Sequence, residues 1–294
     1  MMISLPSKWI KANKLDKGSE ISLEEQNGKL VIGAEIREKK EISIKLDGDK
    51  KKELINILTH AYRKGFDKIT ILGNANDCLK QIKSVINDML LGFEITDISK
   101  DKVIIENISE PSSQKYDVML KKCFQVIEET QDLVIADFEA NKFSNLEDIA
   151  DLRKQHDRFG LFCRRLLVRG ETSRNPITQW ELHTFLTHIE HRYQYLYEYA
   201  AKNKIEKNKE IISLLRDSKE YFKLFKEASD NLDISIVNKI NLIRSEYYFG
   251  RCLKALEKAK GRDCVLLSYI REIFRIMQIA TSPILAELLE KEIS

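Results

Sequence analysis

From about Tyr116 to Leu289, apolar residues return every three or four positions, the period of helices that bury one face. The pattern predicts six helices, over 114–139, 144–169, 177–202, 205–229, 233–259 and 263–291. Breaks fall at Asn141–Lys142–Phe143, Gly170–Asn175, Asn203, Asp230–Asn231 and Gly261. Ser144-Asn145-Leu146-Glu147 and Thr178-Gln179-Trp180-Glu181 both fit the capping-box spacing S/T-x-x-E. Asn175–Pro176 offers an alternative N-cap and first-turn pair for the third helix. Upstream the period changes. Glu41–Leu46, Lys68–Leu72, Phe93–Ile98 and Val103–Ile108 read as strands, and Asp49–Lys64 and Asp77–Leu91 as amphipathic helices, with Gly92 placed to end the second. The order βαβαββ predicts a small α+β layer.

The first 36 residues follow a third pattern. A short β-type run, Ile3–Ser4–Leu5, stops at Pro6. A turn or two of helix then carries Lys8, Trp9, Lys11 and Lys14, and Lys17–Gly18–Ser19 makes a polar turn. Two alternating strands, Ile21–Glu25 and Leu30–Ile36, flank Asn27–Gly28, a strong hairpin signal because both turn residues need positive φ. A unit this small buries too little to stand alone. A charged joint at residues 38–40 and the break Glu110–Pro111–Ser112–Ser113 divide the chain into an element at 1–36, a connector at 37–110 and a helical domain at 111–294.

Composition narrows the class. With 43% hydrophobic and 32% charged residues the chain is a globular protein, and 4 Pro and 11 Gly imply long regular elements. A net charge of +3 is too small to argue for nucleic acid from the whole-chain balance. The first twenty residues are locally basic, while the hairpin carries Glu24 and Glu25. Five scattered cysteines without C-x-x-C suit reduced core thiols in a cytoplasmic protein. No apolar run is long enough to span a membrane.

Ser4-Leu5-Pro6-Ser7-Lys8-Trp9 followed by Leu15-Asp16-Lys17-Gly18-Ser19-Glu20-Ile21 resembles the AbrB/SpoVT (MazE-like) swapped-hairpin DNA-binding domain in its archaeal form. In that family a basic, glycine-containing strand precedes the SLP element. The chain opens at Met1–Met2, so that strand is expected to be missing. The middle region, with His60–Leu72 and Leu91–Ser99, and the helical half resemble the archaeal fusions of AbrB/SpoVT to PhoU-like phosphate-uptake regulators. Internal echoes support a PhoU-like duplication: Asn145–Asp148 is matched by Asn231–Asp233, and Asp157–Leu166 loosely by Glu246–Leu256. The fold expected is therefore multidomain α+β: an AbrB-like β-hairpin element, an α+β connector and an all-α domain of two three-helix bundles. The resemblance implies a homodimer that acts in phosphate-responsive transcription, with DNA contacts from Lys8, Lys11, Lys14 and Lys17. It equally allows a non-DNA-binding adaptor for a phosphate transporter or sensor kinase.

PhoU-like bundles carry E/D-x-x-x-D motifs that hold iron or zinc. Glu147 and Asp151 fit, since residues four apart share a helix face, and Glu190 begins a second motif. However, Gln194 and Gln278 stand where that motif has aspartate, and Asp233 is followed by Val237 four later. No resident cofactor is expected. His183, His188 and His191 read as lone or surface histidines. Asp148–Asp151, Asp157 and Arg164–Arg165 read as a solvated, ion-paired face beside a core stripe. The turn Gly73–Asn76 reads as a βα loop with Asn76 or Asp77 as N-cap. The row Tyr193, Tyr195, Tyr197 and Tyr199 alternates by two, so some of these rings must lie at the surface or an interface. No P-loop, G-x-S-x-G, H-E-x-x-H or other catalytic motif occurs, and no enzymatic activity is expected.

Overall fold

The computed structural model describes residues 3–19, 21–26, 29–34, 39–73, 75–109 and 115–293. The turn at Asn27–Gly28, the charged joint in part, Asn74 and the Glu110–Ser113 break lie outside them. The protein is mostly helical, with a four-stranded sheet before the helical region.

Helix α1 (Ser7–Ala12) starts after Pro6, and its successor Lys14 takes positive φ before the turn at Gly18. Strands β1 (Ile21–Gln26) and β2 (Lys29–Ala34) pair antiparallel, with Gln26 opposite Lys29 and Ile21 opposite Ala34.

The connector has its four strands in the expected order, with helical segments after the first and the second. It comprises β3 (Glu41–Lys45), α2 (Gly48–Lys52), α3 (Leu54–Arg63), β4 (Lys68–Leu72), a 3-10 turn (Ala75–Cys78), α4 (Leu79–Met89), β5 (Phe93–Ser99) and β6 (Lys102–Asn107). The single helix expected at Asp49–Lys64 is two, and the 3-10 turn displaces Asn76 and Asp77 from the N-cap of α4, which falls at Cys78. Strand order is β3-β4-β6-β5; β3 runs parallel to β4, and the other two pairs are antiparallel. One sheet face is apolar: Ile69, Ile71, Val103 and Ile105 are buried beneath Leu54, Leu58, Ile82, Val85 and Ile86 of α3 and α4. The other face carries the cross-strand ion pairs Glu41–Lys68–Glu106.

Among the described residues eight helices follow: α5 (Lys115–Ala140), α6 (Leu146–Arg169), α7 (Pro176–Asn203), α8 (Lys209–Asn231), α9 (Ile234–Glu246), α10 (Cys252–Lys258), α11 (Arg262–Ile279) and α12 (Thr281–Ile293). A π turn, Tyr247–Arg251, joins α9 to α10, so these form the one helix expected at 233–259. The helix expected at 263–291 instead breaks at Ala280, because Pro283 belongs to the first turn of a new helix. At α7, Asn175 accepts from the N–H groups of Ile177 and Thr178, and Pro176 occupies the first helical position. At α6 the Ser144–Glu147 box does not form. Asn145 is the N-cap residue, and its amide turns away to Asp137.

Helices α5, α6 and α7 pack on one another; α8 packs on α9 and α11. The two groups meet through α5 against α8 and α7 against α11. Helix α6 also lies across α3 and α4. Leu161, Phe162, Cys163, Leu166 and Leu167 of α6 and Tyr116 of α5 thereby complete the core beneath the sheet.

Candidate functional site

Two built polar arrangements stand out, one where the α+β layer meets α6 and one inside the bundle. The first centres on Asp67, between α3 and β4. Arg165, whose side chain is 1% exposed, donates to Asp67 Oδ1 at 2.7 Å and to the carbonyls of Tyr62 and Phe66 at 3.0 and 2.7 Å. It also lies over the rings of Tyr62 and Phe93, 5.1 and 4.9 Å from their centroids. One turn on, Arg169 donates to the same Asp67 oxygen and to Glu171. Burial would raise the Asp67 carboxyl. The hydrogen bonds from Arg169 and the Lys40 N–H, with the two guanidinium charges, instead hold it below its ordinary value. Gly65 takes φ +83 here, and a Cβ on it would meet Arg169 Cγ at 3.1 Å. This arrangement overturns the solvated reading of Arg164–Arg165. Both are buried, and Arg164 lies over the Trp180 ring at 5.5 Å.

The second arrangement is a ladder of polar side chains along the inward face of α7. His183, Glu190 and Tyr197, seven residues apart, share that face and are fully buried. The Tyr116 hydroxyl donates to Gln179 Oε1 at 2.7 Å, so the contact of 3.1 Å with His183 Nε2 requires that ring to donate. Thr130 Oγ1 donates to Glu190 Oε1 at 2.8 Å. Gln131 donates to the Tyr193 hydroxyl, which meets Ser218 at 2.8 Å. At the far end Tyr197 and Asn145 both donate to Asp137. Beside the ladder, His191 meets Asp157 at 3.0 Å.

The ladder is not fully satisfied. Among the described residues, Glu190 Oε2, His183 Nδ1 and both nitrogens of His156 are buried without a hydrogen-bond partner. Burial, reinforced by the nearby Asp157 charge, pushes the Glu190 carboxyl up to about 8, so it is largely protonated at neutral pH. Burial lowers His156, and lowers His183 further, so both are neutral. The Asp157 carboxyl is held below its ordinary value: burial would raise it, but the His191 ring bonded to it at 3.0 Å and the His156 ring 4.0 Å away more than offset that.

The carboxylates expected to hold metal are kept apart. Glu147 and Asp151 are exposed at the start of α6, Asp151 pairing with Lys154 at 2.9 Å, whereas Glu190 is in the interior. Among the described residues no group of three His, Cys, Asp or Glu side chains is arranged to hold a metal ion. The two glutamines at aspartate positions make amide hydrogen bonds, Gln194 to Glu198 and Gln278 to Asn241. Among the described residues, then, Glu147, Asp151 and Glu190 are not brought together as an iron or zinc site. Of the histidines, His188 is exposed, but His183 belongs to the ladder. Tyr193 and Tyr197 are buried, while Tyr195 and Tyr199 are half-exposed, as the alternation requires.

The thiols are quiet. Cys78, Cys123, Cys163 and Cys252 are buried and free, and burial pushes Cys123 and Cys252 up to about 12. Only the half-exposed Cys264 is open to reagent. Treating the native protein with a thiol-reactive disulfide is expected to give one fast-reacting group, absent in Cys264→Ser; two or more fast thiols contradict the packing.

Lys8, Lys11, Lys14 and Lys17 are all exposed, with Lys8 and Lys11 three apart on α1, while Trp9 and Ile10 are half-buried. Among the described residues no helix is long and apolar enough to cross a membrane. No known family model, curated protein or solved structure matches the chain.

Proposed function

We propose that this chain is a regulator of phosphate uptake, in which a PhoU-like helical domain (111–294) controls an AbrB/SpoVT-like DNA-binding element (1–36) through the α+β connector (37–110). The observation that carries the reading is the lock at Asp67. Arg165 and Arg169 of α6 grip the connector at the start of β4, so a movement of α6 is a movement of the sheet that follows the hairpin. The contacts α5–α8 and α7–α11 between two helix groups support a duplicated bundle. The four exposed lysines suit contacts to the DNA backbone, which position a protein without reading sequence. The chain would act as a cytoplasmic homodimer and perform no catalysis.

A second reading is an adaptor that docks on a phosphate transporter or sensor kinase without binding DNA. Tyr195, Tyr199 and Tyr269 line a shallow groove of about 220 Å³, and aromatic surface of this kind favours protein contacts. A genomic DNA-binding screen and a pull-down with transporter components, run on one preparation, separate the two. Enrichment of discrete DNA fragments supports the regulator. Capture of the transporter with no DNA enriched supports the adaptor.

A further inference from the structure

A cavity of about 460 Å³ opens at one end of the bundle, between α5, the start of α7, the end of α8 and α12. Its size is that of a small-molecule site. The charges lining it are of both signs. Lys121 of α5 and Arg174 of the α6–α7 loop supply the cations. Asp230 of α8 and Glu287 of α12 supply anions at one side, and Asp117 of α5 lies beside Arg174. Phe124 and Leu232 give an apolar wall.

Three features set these groups up for a ligand. Among the described residues the Arg174 side chain pairs with Asp117 alone, an exposed contact at 2.9 Å that is worth little in water and readily exchanged. Glu287 is braced by neutral donors, the Thr178 hydroxyl and the Gln179 amide, which fix the carboxylate while leaving its charge uncompensated by them. Asp230 sits in the last turn of α8, where the helix dipole disfavours an anion, and that turn carries no basic residue. A local rule broken in this way is commonest at functional positions. The next corner, Leu232, takes φ +51, an uncommon conformation for a side chain of its size.

We propose that this cavity binds a small zwitterion of the amino-acid class. Its ammonium lies between Asp230 and Glu287, its carboxylate meets Lys121 and Arg174, and its apolar part rests on Phe124 and Leu232. Gln179 joins the cavity to the connector. Its amide nitrogen donates to Glu287 and its oxygen accepts from Tyr116, whose ring is packed in the core beneath the sheet. The binding claim stands without the DNA reading; only its use as the sensed signal rests on that reading.

The test is calorimetry and thermal shift on the full chain, with the standard amino acids and two truncated analogues of leucine, 3-methylbutylamine and 4-methylpentanoate, at millimolar concentration. At least one amino acid is expected to bind saturably, and the analogues to bind far more weakly. Lys121 and Asp230 are exposed, so Lys121→Ala and Asp230→Ala should melt like the parent yet each weaken binding about tenfold or more. The proposal is overturned if no amino acid binds, if an amine or acid analogue binds as tightly as the amino acid, or if binding survives both substitutions.

Discussion

Asp67→Ala is expected to lower the unfolding free energy by about 3–5 kcal/mol, the cost of breaking a buried ion pair from one side. The substitution leaves the guanidinium of Arg165 buried without its carboxylate, and deprives Arg169 of one of its two. It also removes the acceptor of the Lys40 N–H, at 3.1 Å. Arg165 would still cap the carbonyls of Tyr62 and Phe66 near the end of α3, so the connector should stay folded at low denaturant but detach early. Urea unfolding followed by both helical signal and tryptophan fluorescence should turn from one transition into two. Lys154→Ala, which breaks an exposed pair with Asp151, is the control and should change stability by less than about 0.5 kcal/mol. If Asp67→Ala behaves like that control, the connector and bundle are not locked at this point.

The second large effect is at Glu190, and its sign depends on pH. The folded-state value, about 8, lies above the ordinary 4.5. Below pH 4.5 the carboxyl is protonated in both states and carries no penalty. As pH rises from 4.5 to 8 the unfolded chain releases the proton first, so stability falls by about 1.4 kcal/mol per pH unit. A glutamine at this position would keep the oxygen that accepts from Thr130 and lose the titration. Glu190→Gln should therefore be nearly neutral at pH 5 and more stable than the parent by a few kcal/mol at pH 8, read as a shift in the urea midpoint. His156 and His183 act in the opposite direction: both are lowered, so their contribution is lost as pH falls below 6.5. An equal effect of Glu190→Gln at pH 5 and pH 8 would show that the side chain reaches water.

The elements were legible where one period held and a strong breaker ended it. Gly170 takes φ +67 at the end of α6, and Asn175–Pro176 opens α7, as their chemistry demands. The break at Ala280 was missed although Pro283 announced it, because the apolar period continues unbroken across both helices. The π turn at Tyr247–Arg251 was missed for the same reason. The site was less legible than the fold. His183, Glu190 and Tyr197 occupy core positions, and their spacing of seven was visible, but a polar residue on an apolar stripe does not name its partner. Thr130 and Glu190 are 60 residues apart, and Arg165 and Asp67 are 98 apart. Such pairs exist only once helices are packed, so Arg164–Arg165 looked like surface and Glu190 like a ligand.

Whether the protein is a DNA-binding regulator is decided by how its DNA binding responds to salt. Fluorescence anisotropy on fragments from the genomic screen should give log K falling linearly with log salt. Changing Lys8, Lys11, Lys14 and Lys17 together to Gln should make that slope shallower by roughly 3–4 per chain, at about 0.9 for each phosphate that a lysine neutralises. An unchanged slope, or no DNA binding by the parent at low salt, would contradict the regulator reading and leave the adaptor in its place.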